Sequence, residues 1–123
     1  MRKPVSMIAA GFALVLSACG SSTANTTASP QAPITIGVSV SQSGDFSTDG
    51  KALVQGYDLW MQDVNKKGGL LGHQVSMKYV DDASSQQQVV TNYTTLINQD
   101  HVALVFGPFS SLLTIPASTF SPA

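Results

Sequence analysis

Between Ile34 and Pro108 the chain alternates short β-branched runs with longer stretches of helical periodicity, and this alternation constrains the fold more than any other feature. Ile34, Ile36, Val38 and Val40 open the series as a strand, with Gly37 among them expected to allow close backbone approach. The run stops at Ser41-Gln42-Ser43-Gly44-Asp45, a set of turn-forming residues. Leu53, Tyr57, Trp60 and Val64 then recur at the i, i+4, i+7, i+11 spacing of one helix face, with Val54 and Met61 beside them. Thr48 or Asp49 is expected to cap this helix, and Lys66-Lys67-Gly68-Gly69 to close it with cations and glycines. After the turn Leu70-Leu71-Gly72 a second strand is expected from about Gln74 to Val80, ending in Asp81-Asp82. Val89, Tyr93, Leu96 and Ile97 share one face of a second helix, capped by Ser84 or Ser85. A third strand, Val102 to Phe106, closes at Gly107-Pro108; a third helix begins near Ser110 or Ser111, with Pro116 limiting its regularity.

Strands alternating with amphipathic helices predict an α/β fold: a doubly wound parallel sheet with right-handed crossovers. In the common winding order the first strand is central and the second and third flank it. The switch point then lies between strands one and three, and ligands bind outside their carboxyl ends. Those ends are Ser41–Asp45 and Gly107–Ser111, two loops rich in serine and glycine. Ser110 or Ser111 is expected to present hydroxyl and backbone N–H groups at a helix start, which favours an anionic group such as a carboxylate.

With 123 residues, the chain has room for one small domain at most. Beyond Cys19 stand four lysines and seven aspartates, a net charge of −3, and no basic cluster interleaved with aromatics, so no nucleic-acid partner is expected. Cys19 is the only cysteine, which excludes a disulfide within the chain and a four-ligand thiolate zinc site. His73 and His101 have ligand spacing to nothing, so no metal or cofactor is expected. Asp81-Asp82 is read as a pair that caps a helix or binds loop N–H groups. Tyr57, Trp60 and Met61 are read as core. Ser110-Ser111 lacks the elbow motif and histidine partner of a nucleophile, and Gly68-Gly69 with Gly72 follow a helix, which is the wrong setting for a phosphate loop.

The first residues have a different design. Arg2 and Lys3 precede an apolar stretch from Val5 to Leu16, too short for a permanent membrane span and shaped like the core of a signal peptide. It ends Leu16-Ser17-Ala18-Cys19, which resembles the lipobox of bacterial lipoproteins. Residues 1–18 are thus expected to be a lipoprotein signal peptide and Cys19 the lipidated residue. From Gly20 to Pro33 the chain has no charged or large apolar residue, so 19–33 is expected to be lipid attachment and flexible tether. Residues 34–123 are the expected folded part.

Ile34-Thr35-Ile36-Gly37-Val38 with Ser43-Gly44, then Asn65-Lys-Lys-Gly-Gly-Leu-Leu-Gly72, Tyr79-Val-Asp-Asp82, Val105-Phe-Gly-Pro108 and Thr114-Ile-Pro-Ala-Ser118 occur in order. Together they resemble the type I periplasmic-binding family, the leucine-binding-type solute-binding proteins of ABC importers. The resemblance implies a partial first lobe of a two-lobed fold that traps an amino acid or similar small polar solute. It implies that Ser111 meets the ligand carboxylate and that Phe109 lines the pocket, with Ser110 and Ser43 on the adjoining loops. Asp49 falls where the family's amino-acid binders often set an aromatic ring over the ligand, a departure from a leucine-like pocket. Some members join two of these loops by a disulfide at positions that are Ser84 and Ser110 here. The chain stops inside the implied first lobe, where Ser121-Pro-Ala123 looks like a triplet the family carries after its next strand, so a deletion or frameshift is among the expected origins of its length.

Two function classes follow. One is an extracytoplasmic lipoprotein of the cell envelope, anchored to the membrane by lipid and partnered by a small-molecule ligand and an ABC importer permease. The other is a receptor's ligand-sensing domain or an exported α/β enzyme on the same fold. An enzyme would need a charged or metal-bearing constellation, and none stands out in the sequence.

Overall fold

The computed structural model describes residues 31–120. The signal peptide, Cys19 and nearly all of the expected tether lie outside the described residues, as do the last three positions.

The elements run β1 (Ile34–Val40), α1 (Ser47–Lys66), β2 (Val75–Asp81), α2 (Gln86–Asn98), β3 (Leu104–Phe106) and α3 (Ser111–Ala117), with a 3-10 turn at Ser118–Phe120. All pairing is parallel in the order β2-β1-β3. The register runs from Ile34 opposite Val75 to Val40 opposite Asp81 on one side, and from Ile36 opposite Leu104 to Val38 opposite Phe106 on the other. This is the doubly wound arrangement expected, with the switch point between β1 and β3.

Being central, β1 buries Ile36, Val38 and Val40 completely. On one face Val89, Tyr93, Leu96 and Leu113 form a core against which Phe46, Val80, Ile97, Val102, Ala117 and Phe120 pack. Full burial of Val89, Leu96 and Leu113 contributes about 1.5–3 kcal/mol each. Gly37 makes room here: a Cβ on it would stand 3.0 Å from Leu96 Cδ2 and 3.1 Å from Val102 Cγ2, so its close neighbours are side chains. On the opposite face Tyr57 and Trp60 pack against Phe106, with ring centroids 5.2 and 6.0 Å apart. That face is less covered. Only Gly50 of α1 is buried, and Leu53, Gly56, Tyr57, Trp60 and Phe106 line an open hollow of about 510 Å³. A hollow of about 610 Å³ lies along the edge of β3 that pairs with no strand among the described residues, where Leu104 is 51% and Val105 38% exposed.

Three local expectations are corrected. Neither Thr48 nor Asp49 caps α1: Phe46 holds that position without a side-chain cap bond, and Asp49 lies in the first turn. The third strand is shorter than expected because the Val102 N–H bonds Leu96 O at 3.1 Å and so belongs to the exit of α2. The second strand is shifted by one residue, ending at Asp81. The remaining helix starts match. Ser85 caps α2, Ser110 caps α3, and Gly68 and Gly69 turn the chain at positive φ after α1. Pro116 sits near the end of α3; the carbonyl of Leu112 that it leaves without a helical donor accepts from Gln86 Nε2 at 3.2 Å.

Candidate functional site

Three loops meet at the carboxyl ends of the strands: 41–46 after β1, 82–85 after β2 and 107–110 after β3. Asp81, the last residue of β2, fastens the first loop to the second. Its Oδ1 accepts from the N–H groups of Gln42 at 2.8 Å, Ser43 at 3.2 Å and Ala83 at 2.9 Å, and its Oδ2 accepts from the Ser43 hydroxyl at 2.6 Å. Partial burial opposes the charge, but these four donors outweigh it and hold the carboxyl below its ordinary value.

Asp82 is fully buried and points inward. It accepts from Ser41 Oγ at 2.5 Å, Ser39 Oγ at 3.3 Å and the Ser84 N–H at 2.9 Å. Asn92 extends the cluster by donating to Ser39 Oγ and to the Asp81 carbonyl, both at 3.0 Å. Every partner named is a hydrogen-bond donor or acceptor of the fold itself, which agrees with the reading of Asp81-Asp82 as loop-binding acids. Ala83 and Ser84 adopt φ of 49° and 60°, an unfavourable region for side chains that these acids stabilise.

Ser84 adds a second tie between the same loops, accepting from the Phe46 N–H and donating to Ser43 O, each at 3.0 Å. The first loop reaches the third through aromatic contact: the rings of Phe46 and Phe109 lie 6.2 Å apart at 57°. The third loop is fixed from below by the Tyr93 hydroxyl, which donates to Phe106 O at 2.6 Å. Gly50 lets α1 start this close to β1, since a Cβ there would fall 1.9 Å from Ser41 O.

Among the expected site residues, Ser43, Asp49, Phe109 and Ser111 are all exposed on this edge, and Ser110 is half-buried. Phe109 and Ser111 share an open depression of about 310 Å³ with Thr114, Ile115 and Ser118. Ser43 and Asp49 belong to the first loop and the first turn of α1, outside that depression. The turn at Ser110 uses more of its own donors than expected. Its hydroxyl takes the Leu112 N–H at 3.2 Å, and its carbonyl takes the N–H groups of Leu113 at 3.0 Å and Thr114 at 2.8 Å. Ser111 is left with an exposed hydroxyl beside Phe109. Among the described residues no group of three or more His, Cys, Asp or Glu side chains is placed to hold a metal ion.

Sequence reasoning had no signal for the Phe46–Phe109 contact, because Phe46 sits in a turn outside any periodic face. The asymmetry between Asp81 and Asp82, one serving the loop and one the interior, follows from the alternating sides of a strand and was open to inference.

A parallel α/β sheet with exposed loops at its switch point is the setting in which open α/β folds bind ligands. Residues 33–120 match the periplasmic binding protein family, and the chain belongs to it. It is 33% identical over 87 residues to a Leu/Ile/Val-binding protein of Rhizobium johnstonii, an alignment covering 71% of this chain and 23% of that protein. An amino acid binding protein of Pseudomonas aeruginosa aligns with the same identity and coverage. Among solved structures, the branched-chain amino acid transporter substrate binding protein of Streptococcus pneumoniae, in complex with isoleucine, superposes with a TM-score of 0.68 at 30% identity, over 71% of this chain and 25% of that one. A fatty acid ABC transporter substrate-binding protein from Thermomonospora curvata shares the fold at 24% identity, with a TM-score of 0.65 over 72% of this chain and 22% of its own. The chain therefore spans about a quarter of the length of the relatives it matches.

Proposed function

We propose that this chain forms one wall of the solute site of an extracytoplasmic binding lipoprotein serving an ABC importer, a protein that captures its ligand without transforming it. The observation that carries the reading is the exposed edge itself: three loops locked to one another by Asp81, Ser84 and the Phe46–Phe109 contact, with Ser111 and Phe109 facing outward at the switch point. A rigid edge with an open hydroxyl suits a ligand carboxylate, since little ordering cost remains to be met on binding. The Leu/Ile/Val-binding and amino-acid-binding relatives point to the same ligand class.

Asp49, exposed in the first turn of α1, favours a ligand with a polar or cationic side chain over a leucine-like one. The closing wall of the site belongs to a second lobe, and the permease recognises the closed form. Cys19 carries the lipid, and the module stands outside the cytoplasmic membrane on its tether. Calorimetric titration of a two-lobed protein carrying this segment against the twenty amino acids tests the reading. Heat of binding with at least one of them is expected, and silence with all would overturn it.

A further inference from the structure

The opposite pole of the lobe, where the strands begin, carries features that ligand capture does not use. Leu70 and His73 exchange backbone hydrogen bonds of 2.8 and 2.9 Å, closing a two-residue hairpin with Leu71 and Gly72 at its tip. Both tip residues have positive φ, 53° and 83°, the turn that asparagine followed by glycine forms with least strain. Leucine there is disfavoured twice: its backbone is strained, and its side chain is 94% exposed. Lys66 and Lys67, both exposed, end α1 just before this hairpin. Lys67 pairs with Asp63 at 2.7 Å, but both partners are more than half exposed, so the amine is free to exchange partners.

Charge is divided between the two poles. Asp45, Asp49 and Asp81 lie at the cleft edge, with Lys51 the one lysine in the first turns of α1. Lys66 and Lys67 lie at the other end with Asp63, and Lys78 pairs there with Asp100 at the exit of α2 at 2.5 Å, so three lysines stand with two aspartates at this pole. The incoming chain also enters at the hairpin: His73 Nδ1 contacts Ala32 O at 2.8 Å, and the Ile34 N–H donates to Gln74 O at 2.8 Å. Only the 14 residues from Gly20 to Pro33 separate Cys19 from this point. Even a fully extended chain of that length reaches no more than about 50 Å.

We propose that this pole is a foot that seats on an anionic lipid surface, with Leu71 entering the headgroup layer, Lys66 and Lys67 meeting phosphates, and the acidic cleft edge held away from the membrane. The proposal rests on the lipid-anchored reading, because a single apolar side chain and two lysines bind too weakly without a tether to raise their local concentration. It sets the orientation of the lobe as well as its location.

The test couples the mature chain, beginning at Cys19, through its thiol to a maleimide phospholipid in vesicles with brominated acyl chains. One set is phosphatidylcholine alone; the other contains about one-third phosphatidylglycerol. Tryptophan is placed at the foot by Leu71→Trp, or at the cleft edge by Asp49→Trp, each in a Trp60→Phe background. Quenching and a blue shift are expected for the foot on anionic vesicles, about fivefold less when Lys66→Gln and Lys67→Gln are added, and little for the cleft edge on either. Equal quenching at both poles, or none at the foot, overturns the proposal. Chemical coupling separates this result from the anchor: absence of lipid on Cys19 in cells would sink the lipoprotein reading and leave the vesicle result standing.

Discussion

The hydroxyl of Ser43 donates to Asp81 Oδ2 at 2.6 Å while the Ser43 N–H donates to Oδ1 of the same carboxylate at 3.2 Å, so one side chain at the end of β2 holds the loop at the end of β1 from both sides. The contact spans 38 residues of sequence and joins two of the three loops that form the candidate ligand edge. Ser43 therefore acts first as a structural donor, and a ligand meeting it would have to use its remaining lone pairs.

This pairing gives the lobe a predictable acid response. The Asp81 carboxyl is held below its ordinary value of 3.8, so its folded state binds a proton less readily than its unfolded state. Its contribution is fully present above the unfolded value and is lost as pH falls through the folded one. Stability should drop on acidification below about pH 4, and Asp81→Asn should flatten that part of the profile while lowering stability at neutral pH. Urea unfolding from pH 2.5 to 7 checks both; a variant with the parent's acid slope would show that the clamp carries no linkage.

Gly50 is the tightest point between α1 and β1. A methyl group there would fall 1.9 Å from Ser41 O, and the atom met is backbone, which cannot swing aside. Gly50→Ala should cost about 1–3 kcal/mol, the range of overpacked cores, despite alanine's better helix propensity. At Gly56, six residues further along, a Cβ meets nothing within 4 Å, and Gly56→Ala should stabilise by up to about 1 kcal/mol. Opposite signs in thermal unfolding are the expected outcome, and equal signs would place the α1–β1 contact elsewhere.

The architecture was legible because periodicity reports what a residue faces. The alternation from Ile34 to Phe106 predicted a parallel sheet with β1 at its centre, and the order β2-β1-β3 has it there. Legibility failed where a backbone group chose between two partners. Val102 has a strand-like side chain, yet its N–H completes the end of α2 through Leu96 O. Thr48 and Asp49 are good caps by residue type, but the chain enters α1 from Gly44 and Phe46, with the Gly44 carbonyl taking the Ser47 N–H at 3.1 Å. At the site, the serines of the switch-point loops could be named from topology. Which hydroxyls stay open could not, since that depends on Asp81, Ser84 and Ser110 satisfying donors on neighbouring loops.

Ser111 and Ser110 separate two roles that adjacent serines share in sequence. Ser110 is the cap of α3, and Ser110→Ala should destabilise the lobe by about 1 kcal/mol. Ser111→Ala should leave stability within about 0.5 kcal/mol and weaken binding of an amino-acid ligand by about 1–3 kcal/mol in a two-lobed protein. Calorimetry on both variants distinguishes them. Equal affinity after Ser111→Ala would assign the ligand carboxylate to other donors.

The lipid anchor has a direct check. In cells fed labelled fatty acid, the parent chain should carry label and sediment with membranes, and Cys19→Ala should lose the label. Retained labelling in the variant would move the attachment elsewhere and remove the premise of the foot at Leu71.

The free edge of β3 predicts how the 123-residue chain behaves in solution. Leu104 and Val105 leave 51% and 38% of their surface in water beside strand backbone that is unpaired among the described residues, and hollows of about 610 and 510 Å³ flank that strand on the two faces of the sheet. Uncharged open edges of this kind recruit another strand. The mature chain should therefore associate with rising concentration in sedimentation velocity, and Val105→Lys should shift it toward monomer by placing a charge in any edge-to-edge contact. The candidate ligand edge, by contrast, is open on its outer side, and a single open wall does not exclude water from a small solute. Free isoleucine or any other amino acid at millimolar concentration should leave the thermal transition unmoved. A sharp monomeric melt raised by such a ligand would show instead that these three strands and their helices complete a working site alone.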